Sequence, residues 1–187
     1  MSTPTREIWT IGHSNRDLAA FLDLLRGEGI EQVADVRRFP GSRLHPQFGR
    51  DALSASLEAA GIAYRHFGDL GGRRGRPRPD SPNSGWRVEA FNAYADYMAT
   101  AAFVAALEQL IALAERRRTA ILCAEALPWR CHRRLIADAL HVRGWMVWDI
   151  LGPGQRGRHT MTAFARVLPD GKLIYPGPPT LFEAEPS

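Results

Sequence analysis

Cysteine is nearly absent from this chain of 187 residues, which holds two, Cys123 and Cys131. Two are too few for a disulfide framework, and a reducing compartment would keep them as thiols. There is no run of about 18 apolar residues that could span a membrane, and Met1 to Glu7 lack the apolar stretch of a secretory signal. The expected location is therefore cytoplasmic, with no membrane partner. Lysine is also scarce, so arginine supplies nearly all the positive side of a formal charge of +4. Guanidinium suits bidentate contact with phosphate or carboxylate, but so small a net charge does not by itself imply nucleic acid. No internal repeat and no linker interrupts the chain, and 45% apolar with 24% charged residues is ordinary globular usage. One domain over 1–187 is expected, with a loose tail over 177–187.

The hydrophobic pattern alternates between strand and helix. Ile8 to Gly12 reads as a strand, and Leu18, Phe21, Leu22 and Leu25 recur at helical spacing behind a cap at Ser14, Asn15 or Asp17. Gln32 to Arg37 is a second strand, Asp51 to Ala60 a helix and Ile62 to His66 a third strand. Phe91, Tyr94, Ala95 and Met98 form one helical stripe, and Val104, Leu107, Leu110 and Ile111 form another. Thr119 to Glu125 is a fourth strand, Arg130 to Arg143 a helix, and Trp145 to Ile150 a fifth strand. This order predicts an α/β fold: a single three-layer domain, with a mainly parallel sheet of about five strands flanked by helices. Phe164 to Leu168 and Lys172 to Tyr175, joined through Pro169-Asp170-Gly171, predict a C-terminal hairpin within 160–176. Gly152-Pro153-Gly154-Gln155-Arg156-Gly157 has the spacing of a dinucleotide-binding turn, but Pro153 and the missing helix oppose that reading. Asp69 to Gly85 carries four arginines among glycine and proline, and reads as an exposed, mobile loop able to close over an anion.

Reactive residues gather where strands end and helices begin. His13 and Ser14 follow the first strand, and Asp35 and Arg37 end the second. Period two stacks Ile121, Cys123 and Glu125 on one face of the fourth strand. Cys131 falls at the start of the next helix, where the helix dipole, Arg130 and Arg133 favour thiolate and make it a nucleophile or redox thiol. Cys123, inside the strand, suits packing. His132 and His13 are candidate general acids or bases. A metal held by Cys123, Cys131, His132 and His13, with Glu125 near, ranks below a metal-free site, because no Cys-x-x-Cys or His-Glu-x-x-His spacing occurs. Thiol phosphatases need five residues between Cys and Arg, whereas Cys123 to Arg130 encloses six, and no Gly-x-Ser-x-Gly elbow is present.

Thr10-Ile11-Gly12-His13-Ser14, Asp35-Val36-Arg37 with Pro40 and Ser42, Leu70-Gly71-Gly72, Leu122-Cys123-Ala124-Glu125 and Cys131-His132-Arg133 together resemble the successive motifs of the family catalogued as domain of unknown function 488. The resemblance spans about Trp9 to Ile150. It implies a compact bacterial and archaeal α/β domain inside the cell, and it carries no established reaction. The expected site places Cys131, His132, Glu125 and His13 in catalysis, and Ser14, Asp35, Arg37, Ser42, Arg133, Gly71 and Gly72 in binding. The expected function is an enzyme acting on a small anionic, phosphate-bearing or nucleotide-like substrate at the carboxyl edge of the sheet. Two rivals are a non-catalytic nucleotide or nucleic-acid binding module, using Arg37, Arg73, Arg74, Arg76, Arg78 and Arg133, and a thiol-based sensor.

Overall fold

The computed structural model describes residues 6–178. Part of the tail expected to be loose, from 179 onward, lies outside the described residues, as do residues 1–5. Six strands form one sheet: β1 (Glu7–Gly12), β2 (Gln32–Asp35), β3 (Ala63–His66), β4 (Thr119–Cys123), β5 (Met146–Gly152) and β6 (Gln155–Arg158), in the order β3-β2-β4-β1-β5-β6. The first five are parallel and β6 pairs antiparallel with β5. β4 is buried along its whole length, Thr119 to Cys123, which is why it reads as a continuous rather than an alternating run. A separate two-stranded hairpin, β7 (Arg166–Val167) and β8 (Leu173–Ile174), follows where the Pro-Asp-Gly turn predicts it.

β6 is a sixth strand that hydrophobic patterning does not reveal. Its sequence is Gln-Arg-Gly-Arg, with no apolar residue to mark it, and it lies at the sheet's edge, where exposed charge guards against pairing with another chain. The glycine-rich stretch before it is the β5–β6 turn, with Gly154 at φ +65, so it is no dinucleotide loop.

Period two along the strands builds two separate cores. Trp9, Ile11, Val33, Ala120 and Leu122 pack against α1 (Leu18–Gly27) and α2 (Arg50–Ala59). Ile8, Ala34, Val36, Ile121 and Cys123 pack against α3 (Glu89–Tyr97), α4 (Ala101–Ala114) and α5 (Arg133–Val142). The Asp17 carboxylate starts α1 by accepting from Ala20 N at 2.7 Å. No single helix among the described residues is long and apolar enough to cross a membrane.

This topology fixes where a ligand can sit. After β1 and β2 the chain turns to one face of the sheet, whereas after β4, which lies between them, it turns to the other. The outgoing loops therefore part at the carboxyl ends of β1, β2 and β4, the place where open α/β sheets form a binding crevice.

The arginine-rich segment expected to be a mobile lid is instead tied to α3. The Asp96 carboxylate, held below its ordinary range although burial opposes this, accepts from Ser81 Oγ at 2.5 Å, Arg78 N at 2.8 Å and Asn83 Nδ2 at 2.8 Å. Trp86 is buried beyond it, and the Arg74 guanidinium lies 3.7 Å from the Tyr97 ring centre. Asp96→Ala should release this segment: trypsin cleavage after Arg73 and Arg74, the arginines here not followed by proline, should quicken at least tenfold in native buffer. An unchanged cleavage rate would mean that the carboxylate does not hold it.

Candidate functional site

A cleft of about 860 Å³ opens at the crevice. Four arginines line it, Arg37, Arg38, Arg73 and Arg130, against one carboxylate, Glu125. Cys123, Cys131 and His132 also line it, as do His13, Ser14, Ser42 and Gly72. Asp35, Gly71 and Arg133 lie behind the wall and do not line it.

The wall from β1 and β2 is rigid. Arg37 donates from Nε and Nη2 to the two Asp35 carboxylate oxygens at 2.9 and 2.6 Å, and from Nη1 to the Phe48 carbonyl at 2.8 Å. Its Nη1 also lies 3.3 Å from His13 Nε2. A guanidinium only donates, so Nε2 accepts, and His13 carries its proton on Nδ1, which donates to the Ser14 carbonyl at 2.8 Å. Arg37 thus commits four of its five N–H groups to protein, and Asp35, fully buried, also accepts from the Tyr64 hydroxyl at 2.7 Å. The pair orients His13, and one N–H of Arg37, which lines the cleft, is left over.

His13, stacked on Phe48 at 4.4 Å and 4% exposed, has its pKa lowered to about 4, chiefly by burial and also by the Arg37 charge, against the Ser14 hydrogen bond. A pKa of about 4 leaves the ring neutral at pH 7. Ser14 sits at φ 48 and Arg73 at φ 60, a left-handed backbone costly for residues with a Cβ. The Ser14 geometry is held by its N–H donating to the Ala124 carbonyl at 2.8 Å and by the bond from His13.

The opposite wall comes from the loop between β4 and α5. Arg133 is 1% exposed, and among the described residues no carboxylate lies within ion-pair reach of its guanidinium. It donates from Nε to Cys131 Sγ at 3.4 Å, from Nη1 to Thr10 Oγ1 at 3.2 Å and from Nη2 to the Glu125 carbonyl at 2.5 Å, while its backbone N–H reaches the same sulfur at 3.5 Å. Asp149 shares Thr10 Oγ1 with it as a hydrogen-bond partner, and burial raises the Asp149 pKa while the Thr10 hydrogen bond and the nearby Arg133 charge oppose the rise. Burial alone would raise Cys131, but the hydrogen bond from Cys123 and the Arg133 charge bring it well below the ordinary thiol range. Cys123 is pushed well above that range by its hydrogen bond with Cys131 and by burial.

Two expectations change here. β4 ends at Cys123, so the alternation that would stack Glu125 on it stops two residues short, and Glu125 lies exposed in the loop. Cys123, expected to be packing, is the last residue of the strand and faces the cleft beside Cys131 and His132. Arg38 and Arg130, which line the cleft, were legible only as neighbours of Arg37 and Cys131. The glycines act as spacers. A Cβ on Gly71 would come within 2.6 Å of the Arg38 backbone, and one on Gly72 within 3.1 Å of His132 Nδ1. Ser42 Oγ caps a local turn, accepting from His45 N at 2.9 Å.

Fold and cleft together define a mainly parallel α/β protein with a cationic, cysteine- and histidine-floored crevice at the carboxyl edge of its sheet. The family model for the Domain of unknown function DUF488 matches residues 17–140, and the chain belongs to that family. The match includes both cysteines, His132 and the arginines of the cleft, and begins after His13 and Ser14. No curated protein and no solved structure matches the chain.

The His13 geometry sets a pH dependence. Its folded pKa of about 4 lies below the ordinary 6.5, so as pH falls the unfolded chain takes up this proton first. The contribution is intact above about pH 6.5 and is lost progressively down to about pH 4, amounting to about 3 kcal/mol. Denaturant unfolding across that window should show a steeper pH slope for the native chain than for His13→Gln; equal slopes would contradict the assignment.

Proposed function

We propose that the protein is an enzyme whose cleft binds a small anionic, phosphate-bearing or nucleotide-like substrate. The observation that carries this reading is the lining itself: four arginines and one carboxylate around a floor of two cysteines and a histidine. A concave surface of one sign concentrates an oppositely charged ligand far more than the modest net charge of the whole chain could. Arg37 is committed to Asp35 and shapes the wall, so Arg38, Arg73 and Arg130, all exposed, are the residues that reach the ligand. Phe39, 69% exposed at the rim, and Phe91 offer apolar faces against which a planar base can lie. An anion held by the rim arginines meets the sulfurs of Cys123 and Cys131 and the imidazole of His132, where the reacting groups of this chain are gathered.

A thermal-shift and calorimetric series with inorganic phosphate, nucleoside monophosphates and phosphorylated metabolites tests the reading. Stabilisation at low ionic strength should weaken with added salt, and Arg73→Ala or Arg130→Ala should each loosen binding about tenfold, or about 1.4 kcal/mol. If no phosphate-bearing ligand binds even at low salt, the anion reading fails. Turnover of a bound ligand should disappear in Cys131→Ser and His132→Ala. Binding with no turnover of any ligand in the series would favour the non-catalytic module.

A further inference from the structure

Cys123 Sγ, Cys131 Sγ and a ring nitrogen of His132 lie within 4.8 Å of one another at the floor of the cleft. His132 Nδ1 stands 3.8 Å from Cys123 Sγ and 3.7 Å from Cys131 Sγ. The other ring nitrogen, Nε2, is 3.1 Å from the Val36 carbonyl. A carbonyl only accepts, so Nε2 carries a proton, and with the other nitrogen unprotonated the Nδ1 lone pair faces the sulfurs. A thiol donating to that lone pair explains contact with one sulfur. Both sulfurs nevertheless stand at nearly the same distance from that one nitrogen. One cation among the three atoms satisfies all of them.

We propose that Cys123, Cys131 and His132 form a binding site for a thiophilic divalent cation of the Zn²⁺ class, through Sγ, Sγ and Nδ1, with the fourth coordination position facing the cleft. Tetrahedral zinc with bonds of about 2.3 Å to sulfur and about 2.0 Å to nitrogen places nitrogen and sulfur about 3.5 Å apart and the two sulfurs about 3.8 Å apart. The nitrogen–sulfur separations of 3.7 and 3.8 Å are close to that geometry, and the sulfur pair, already within 4.8 Å, needs at most a small side-chain rotation.

The surroundings suit a metal. Val36 holds the distal ring nitrogen as a second-shell carbonyl does for a metal-bound histidine, fixing tautomer and ring plane. The two N–H groups of Arg133 on Cys131 Sγ support a thiolate ligand. Gly72 leaves Nδ1 uncrowded, since any Cβ there would approach it to 3.1 Å. His13, which the sequence offers as a fourth ligand, is spent on Ser14 and Arg37, and among the described residues no other His, Cys, Asp or Glu joins the three. Three protein ligands and one open position is the pattern of catalytic rather than structural zinc. Two thiolates balance a dication, and the arginines lining the cleft favour an anion in the fourth position. This last step rests on the anion-binding reading of the cleft, whereas the three-ligand site does not.

Cobalt substitution tests both parts. Chelator-treated protein should take up one equivalent of Co²⁺, with the intense visible absorption of four-coordinate cobalt and a thiolate charge-transfer band, and Zn²⁺ should displace it. Cys123→Ser and His132→Ala should each weaken uptake at least tenfold, while Arg73→Ala should leave it unchanged. Should those variants misfold, Zn²⁺ protection of both cysteines from alkylation in the unaltered protein gives the same readout. Inorganic phosphate should then shift the cobalt spectrum, and Arg73→Ala should raise the phosphate concentration needed for the shift about tenfold. A folded protein that takes up no Co²⁺, or takes it up equally without Cys123 and His132, overturns the site. Uptake with a spectrum indifferent to phosphate overturns the anionic fourth ligand alone. Phosphate binding without metal uptake overturns the metal and leaves the anion reading standing.

Discussion

A guanidinium with 1% of its side chain exposed must find compensation inside the protein, and Arg133 finds sulfur rather than carboxylate. Desolvating such a charge costs several kcal/mol, which neutral acceptors such as Thr10 Oγ1 and the Glu125 carbonyl offset only in part. The remaining contact is Cys131 Sγ, reached by both the side chain and the backbone of Arg133. The same guanidinium ties the end of β1, through Thr10, to the loop after β4, through Glu125. It therefore sets the shape of the cleft floor as well as its charge.

The sheet order makes this arrangement available. β4 sits between β1 and β2 and sends its helix to the face they avoid, so the loop carrying Cys131, His132 and Arg133 opens away from the loops carrying His13 and Arg37. Gly12 is where the two sides touch: a Cβ there would run into the Glu125 carbonyl. Below that contact the structure is packed, and above it lies the cleft. The two buried arginines then have different tasks. Arg37 is neutralised by Asp35 and stiffens a wall against the buried His13, whereas Arg133 lacks such an ion-pair partner and donates to a sulfur.

Much of this was legible in the residues. Five parallel strands, their helices and the hairpin follow from runs such as Thr119 to Cys123 and the stripe Leu135, Ile136, Ala139 and Leu140, because burial on two faces or one leaves a periodic mark. β6 left none, since an exposed edge strand selects for polarity rather than periodicity. The segment after Gly72 looked free because its composition is polar. Its anchor, Asp96, lies on a helix 13 to 18 residues away, and no local pattern announces that a carboxylate will collect three donors. Glu125 and Cys123 exchanged importance over a single boundary: alternation holds only while the strand lasts, and it stops at Cys123. The opposite roles of two similar arginines depend on which acids the fold brings beside them, and sequence spacing does not encode that.

The coupling between Arg133 and Cys131 is the claim on which the cleft depends most. A double-mutant cycle of Arg133→Met and Cys131→Ala, read by denaturant unfolding of chelator-treated protein, measures it directly. Each single change should be strongly destabilising, and the double variant should cost less than the sum of the two by at least about 1 kcal/mol, because removing both partners leaves no stranded charge. Strictly additive losses would contradict the account, and would mean that the buried guanidinium is balanced elsewhere.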